Sequence, residues 1–313
     1  MLPIRHILHS NQVTRSVRKH TTYLSKFLAQ QGTFLRDTRV QQVGWLDAAR
    51  ALYQSTILPT LTYSAPAWIR MSKKQIAKVE ATQKQCLYEL LELLPTAKYS
   101  AVLLEVGLPR VAHFMNQLKV NYVSELLFNK ERSQTVQVLR EEERLFPGSG
   151  LLAEVRELCV RYGLPDVTEV AVSTDMVRET ITWEAMYELW VECRASSKIP
   201  LHLNYEKRRQ HYFNKSKVEA KIMFSYYVGE LNLRTNRRKE SERKFGGVSC
   251  LYGICCGDDS IPHIMGCFGY STKPPSDLSE ENFGRYLMDI HRERVKRWDA
   301  PLIHMDLAGI VID

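Results

Sequence analysis

Apolar side chains recur at helical spacing along most of the 313 residues, and the alternation that marks a half-buried strand is scarce. Val17, Thr21, Leu24, Phe27 and Leu28 make one stripe. Trp45, Ala49, Leu52 and Tyr53 make another, expected to stop at Pro59 because proline cannot continue a helix from its interior. Ser72, followed three residues later by Gln75, predicts a reciprocal cap at the start of a long helix. Its core face would be Ile76, Val79, Cys86, Leu87, Leu90 and Leu94, with Pro95 as the stop. Lys74, Lys78 and Gln85 fall on the opposite face, because steps of four and seven residues return to nearly the same side of a helix. That ridge reads either as a solvated face or as a phosphate-contacting one.

Gly107 and Pro109 predict a boundary between a short helix over 101–106 and a longer one running to about Phe128, with Val111, Phe114, Met115, Leu118 and Tyr122 inward. Apolar density falls over 129–146 and the stretch ends in Pro147-Gly148-Ser149-Gly150, the strongest linker or turn signal in the chain and the expected place of a domain boundary. Two further helices are expected, over about 151–162 with Gly163 as the stop, and over about 175–195 with Val177, Ile181, Met186, Leu189, Trp190 and Cys193 as core. The expected organisation is a helical domain over 1–128, an acidic helical middle over 129–204, and a basic tail over 205–313.

Charge sharpens that division. Of the net +8, residues 1–100 hold 14 basic against 5 acidic side chains, residues 101–200 hold 11 against 15, and the remainder 18 against 15. A positive excess gathered at the front suits a polyphosphate partner. Seven cysteines are too few and odd in number for a disulfide framework, which points to a reducing compartment, nuclear or cytoplasmic. No run of about 18 apolar residues is present and MLPIRHILHSNQ has no signal-peptide core, so neither membrane insertion nor secretion is expected.

Two stretches carry chemistry. Between Tyr205 and Lys244, cations and aromatics are interleaved: Lys207, Arg208, Arg209, Tyr212, Phe213, Lys221, Tyr226, Tyr227, Arg234, Arg237 and Arg238 among them. Cations neutralise phosphates and aromatic faces stack on unpaired bases, so the mixture suits RNA or single-stranded DNA; the bland reading makes the aromatics core and the cations solvated. The second stretch, VSCLYGICCGDDSIPHIMGCFGY, offers Cys250, Cys255 or Cys256, His263 and Cys267 to a tetrahedral zinc ion. His263 and Cys267 are one helical turn apart, whereas the front half lacks a Cys-x-x-Cys pair. Gly257-Asp258-Asp259 resembles a polymerase carboxylate pair out of context, but no companion aspartate or palm region accompanies it, and a polar turn is the simpler expectation. The remaining histidines form no nucleophile-and-base pattern, so no catalytic residue is assigned and the chain is read as a non-enzyme.

The order of these features resembles the region downstream of the palm in non-LTR retrotransposon reverse transcriptases, a class of transposable element protein. Leu58, Pro59, Leu61 and Tyr63, then Trp68, a helix carrying Gln83, and the Glu105-x-Gly107-x-Pro109 element look like the thumb and post-thumb region. KVEAKIMFSYYVGELNLRTNRRK before the cysteine stretch, which closes in Cys267-x-x-Tyr270, looks like the basic helix and Cys-Cys-His-Cys knuckle of their C-terminal part. The resemblance implies a remnant or C-terminal piece that binds nucleic acid without synthesising DNA. The fold expected is mainly α: a thumb-like helical bundle, further helices, and a small zinc-knuckle-like segment. Lys74, Lys78 and the cations of 207–244 would contact phosphates, Tyr212, Phe213, Tyr226 and Tyr227 would stack on bases, and Cys250, Cys255, His263 and Cys267 would hold zinc. The reading from a different class is a helical protein-interaction scaffold with no nucleic-acid role.

Overall fold

Helical spacing becomes helix almost wherever the chain is described. The computed structural model describes residues 45–129, 132–195, 217–230 and 280–299, together with Gly247, Ser249, Cys250, Asp258, His263, Ile264, Cys267, Tyr270, Ser271 and Pro274. The stripe from Val17 to Leu28 lies outside them. Among the described residues the protein is mainly helical, and the extended pairing they show is one isolated antiparallel bridge, Ser249 with Asp258. No helix in them is long and apolar enough to cross a membrane. The described residues gather into two compact units, 45–93 with 102–195 and 94–101 with 217–299.

The first unit opens with α1 (Trp45–Leu52), a π-helical turn over Tyr53–Ile57, and α2 (Leu58–Thr62). Pro59 therefore does not stop the helix. It sits at the start of α2, where a fixed φ and a missing N–H are tolerated, and the wider π turn before it, closed by the Leu58 N–H on the Tyr53 carbonyl, accommodates the change of ladder. Thr60 and Thr62 hydroxyls donate to the carbonyls of Thr56 and Leu58 at 2.7 and 2.8 Å. The Ser72 cap forms in both directions: Ser72 Oγ accepts the Gln75 N–H and Gln75 Oε1 accepts the Ser72 N–H at 2.8 Å. The helix it starts, α3 (Lys73–Leu90), ends before Pro95, because Glu92 turns to φ +54° and breaks the ladder first. Val79, Cys86, Leu87 and Leu90 are buried as expected.

After α4 (Tyr99–Val106) and the left-handed Gly107, the long helix α5 (Val111–Asn129) runs through the middle of the first unit. Its expected inward face is only partly right. Val111 and Met115 are buried, but Phe114 and Leu118 are half-buried and Tyr122 is exposed, while His113, Gln117, Lys119, Val120, Val123 and Ser124 are buried. A helix packed by α2, α3, α7 and α8, and by α6, has no single core face, so a one-stripe reading must fail on it. The apolar-poor stretch contains a helix that its composition hid, α6 (Gln134–Leu145), capped by Ser133 and held by Val136 and Leu139. The Pro147–Gly150 turn joins α6 to α7 (Leu151–Tyr162) inside this unit, and Gly163 at φ +64° ends α7. Together with α8 (Thr174–Arg194), these helices bury Val120, Val123, Leu126, Leu152, Val155, Leu158, Val177 and Ile181 in one core.

Gln83 shows how the helices are locked. Fully buried on α3, it donates from Nε2 to the Pro109 carbonyl at 3.0 Å and accepts the Val111 N–H on Oε1 at 2.7 Å. Val111 opens α5, so its N–H has no partner within the helix, and Gln83 supplies one. Gln83→Leu keeps the volume and strands both backbone groups. It should cost about 2–6 kcal/mol at ~1–3 per buried unsatisfied group, measured by urea unfolding.

In the second unit, α9 (Lys217–Tyr227) buries Ala220, Met223, Phe224, Tyr226 and Tyr227, and α10 (Glu280–Asp299) packs on it through Tyr286, Leu287 and Ile290. Residues 94–101 join this unit through the Leu94 N–H, which donates to Glu230 Oε1, and the Lys98 N–H, which donates to the Val228 carbonyl.

Candidate metal centre and basic surfaces

Cys250 follows directly on the Ser249–Asp258 bridge, which brings the two arms of that loop side by side. His263 lies in a helical stretch with Ile264, and Cys267 follows four residues along the chain. The three ligand atoms lie within 4.8 Å of one another, with both cysteines buried and His263 half-buried. Cys250 Sγ and Cys267 Sγ are 3.6 Å apart. That is far beyond a disulfide bond of about 2.05 Å and near the roughly 3.8 Å edge of a tetrahedron whose metal–sulfur bonds are about 2.3 Å. Cys250, His263 and Cys267 thus lie close enough to hold one metal ion. Cys255 and Cys256, the alternative fourth ligands, lie outside the described residues, as does Asp259. Asp258 is exposed, and its backbone forms the bridge with Ser249.

The C-terminal helix braces this centre. Tyr286 Oη donates to the Ile264 carbonyl at 3.3 Å, one residue from His263. Arg294, buried on α10, donates to Tyr270 Oη, three residues beyond Cys267. Glu293 accepts the Ser271 N–H and hydroxyl at 3.0 and 2.8 Å. The chain on either side of Cys267 is therefore tied to α10, at Ile264 before it and at Tyr270 and Ser271 after it. Sequence spacing located the centre; its bracing by Tyr286 and Arg294 had no local signal, because those residues are distant in the chain.

The basic candidates fare unevenly. Lys74 and Lys78 are exposed on α3 with no carboxylate beside them among the described residues. Lys221 is half-buried on α9. Lys207, Arg208, Arg209, Tyr212, Phe213, Arg234, Arg237 and Arg238 lie outside the described residues. The expectation that Tyr226 and Tyr227 stack on bases is corrected: each is 6% exposed, they meet edge to face at 5.4 Å, and Phe283 packs edge-on against Tyr226 at 5.0 Å. Burial pushes the Tyr226 hydroxyl up to about 12. Apolar neighbours on α10 claimed the aromatic faces, which the sequence around α9 cannot reveal.

A buried polar chain in the first unit also escaped the sequence reading. His113 on α5 meets Glu188 on α8 through Nε2 at 3.0 Å, and its Nδ1 faces Tyr162 Oη on α7 at 3.0 Å; Asn116 Nδ2 donates to that same hydroxyl at 2.9 Å. One arrangement satisfies every group: Asn116 donates to Tyr162, Tyr162 to Nδ1, and Nε2–H to Glu188, with the imidazole neutral. A proton on Nδ1 would displace the Tyr162 donation. Burial lowers the His113 pKa, Glu188 opposes that, and Arg161 and Arg110 add to the lowering. A histidine lowered in the folded state contributes stability above its unfolded value near 6.5, lost as pH falls below it. Urea stability of the first unit should therefore fall between pH 7 and pH 5 by up to about 1.4 kcal/mol per pH unit, and His113→Gln should flatten that slope.

Comparison with known proteins adds no identification: no family model, no curated protein and no solved structure matches the chain.

Proposed function

We propose that this chain is a non-catalytic nucleic-acid-binding protein, a remnant or C-terminal piece of a non-LTR retrotransposon reverse transcriptase, and that its second unit is organised by zinc. The observation that carries the proposal is the convergence of Cys250, His263 and Cys267, with two sulfurs at the spacing of a shared tetrahedral ion. Two thiolates and an imidazole favour zinc over a hard cation, and Cys255 is the proposed fourth ligand. Bound there, the ion would supply folding energy and no chemistry of its own.

In this reading RNA or single-stranded DNA is held through its phosphates. Lys74 and Lys78 project into solvent on the first unit, and the cations from Lys207 to Arg238 lie along the sequence on either side of α9 and within it. Tyr226 and Tyr227 have no part in it. Tyr212 and Phe213 remain the proposed stacking residues. Lys74, Lys78, Lys207, Arg208, Arg209, Lys221, Arg234, Arg237 and Arg238 act as point charges, so affinity follows counterion release rather than sequence.

The test joins metal content to salt dependence. Protein purified without chelator should carry about one zinc per chain by elemental analysis, lost in the His263→Ala, Cys267→Ala double variant; unchanged metal content removes those residues from the centre. A fluorescent single-stranded RNA should bind at low salt with a log–log salt slope of about −3 or steeper, as four or more phosphate contacts require. Lys74→Glu with Lys78→Glu should make that slope shallower by about 1.4. No binding at low salt, or binding without a slope, overturns the nucleic-acid reading.

A further inference from the structure

α8 buries one side and leaves the other bare. Val177, Ile181, Ala185, Leu189 and Cys193 face the core. Met176, Trp183, Tyr187, Trp190, Val191 and Arg194 repeat at the same helical period on the outer side, with Trp183 65%, Tyr187 48%, and Met176 and Val191 each 45% exposed. Trp190, expected in the core, is half-buried within this outer row. The row is ordered: Trp183 and Tyr187 stack at 5.5 Å with planes 2° apart, Tyr187 and Trp190 follow at 6.0 Å and 28°, and the Arg194 guanidinium caps Trp190 at 5.2 Å. Two tryptophans and a tyrosine left in contact with water along about 10 Å of helix, within a row of about 27 Å from Met176 to Arg194, form an apolar patch of the composition found where protein partners anchor.

The charges around the row select its occupant. Glu179 stands one turn before Trp183, and Glu184 on the other margin; neither has a cationic partner among the described residues. Glu188 and Glu192, by contrast, are taken up by His113 and Arg161 and by Arg110. The row already holds a guanidinium on its last ring, while the outer face of its first ring, Trp183, is open beside a carboxylate. Residues 101–200 carry 15 acidic against 11 basic side chains, so a phosphodiester strand is repelled here, and a second copy would set Glu179 and Glu184 against their own like.

From this geometry we infer that the outer face of α8 is a docking site for a cationic amphipathic helix of a partner protein. The partner's apolar side lies along Trp183, Tyr187 and Trp190, and one of its arginines or lysines sits on Trp183 between Glu179 and Glu184. This site is separate from the nucleic-acid reading and stands or falls without it.

The probe is a synthetic amphipathic helix of leucine and arginine, about 18 residues long to match the row, titrated calorimetrically into the full chain near physiological salt. The same peptide with glutamate for arginine is the control. The Leu/Arg peptide should bind, Trp183→Ala and Tyr187→Ala should each weaken it about tenfold or more, and Glu179→Gln with Glu184→Gln should weaken it about threefold. Both aromatics are solvent-exposed, so these variants should melt like the parent. Equal binding of the Leu/Glu peptide, or unchanged affinity in Trp183→Ala and Tyr187→Ala, overturns the inference. So does self-association, or single-stranded RNA binding, that Trp183→Ala abolishes while the peptide fails to bind.

Discussion

Lys119→Ala should destabilise the first unit by about 3–5 kcal/mol, the cost of leaving a buried charge without its partner. Lys119 is 2% exposed on α5, and its Nζ lies 2.6 Å from Glu154 Oε1 on α7, a carboxylate that is itself largely buried. The other oxygen of Glu154 accepts the Arg70 N–H at 2.8 Å. Truncating Lys119 leaves a carboxylate with one backbone donor and no cation, and opens a cavity where the lysine stem lay. Lys119→Met fills that space but still strands the charge, so it should fall between parent and Lys119→Ala. Adding Glu154→Leu to Lys119→Met should restore most of the loss, because an apolar pair of similar volume avoids desolvating two ions. Urea denaturation of the four proteins as a double-mutant cycle measures the coupling; a Lys119→Ala cost below about 1 kcal/mol, the range of exposed pairs, would show that the pair is solvated.

On the zinc reading proposed above, chelation should unfold the part of the second unit around Cys250, His263 and Cys267 while leaving the first unit intact. The candidate ligands Cys250 and Cys267 are buried together with Ile264 and Tyr270. A structural zinc site contributes on the order of 10 kcal/mol of binding free energy that appears as folding energy. With a strong chelator, the calorimetric transition of the second unit should move down steeply or vanish, and readdition of zinc should restore it. The first unit, whose core runs from Val120 to Ile181, should melt at the same temperature throughout. Tyr286→Phe and Arg294→Met keep the ligands but remove their bracing from α10, and should weaken zinc about 10–100-fold, as outer-shell partners do. A second unit indifferent to chelator would return the three residues to a plain thiol–imidazole cluster.

Short-range signals were the legible ones. The Ser72–Gln75 cap, the left-handed Gly107 and Gly163, the extent of α7 and α8, and the spacing of His263 and Cys267 all depend on neighbours within a few residues or on one helical turn. Proline misled twice: Pro59 sits inside a helical run behind a π turn, and Pro95 lies beyond a helix that Glu92 had already ended. Composition hid α6, whose two buried residues suffice because α7 packs against it.

The same division separates what this sequence determined alone from what needed the fold. Periodicity and caps placed the helices, and the His263–Cys267 spacing marked the candidate metal centre, because hydrogen-bond ladders and one-turn neighbours are set within short stretches of chain. Which face of each helix is buried was decided in three dimensions. α5 buries a lysine, a histidine and a glutamine because helices surround it, α9 hides its tyrosines under α10, and α8 keeps its aromatic row exposed because none of the described residues of the first unit covers it. Burial depends on residues distant in the chain, and that is why the candidate stacking tyrosines and the α8 surface changed places between sequence and structure.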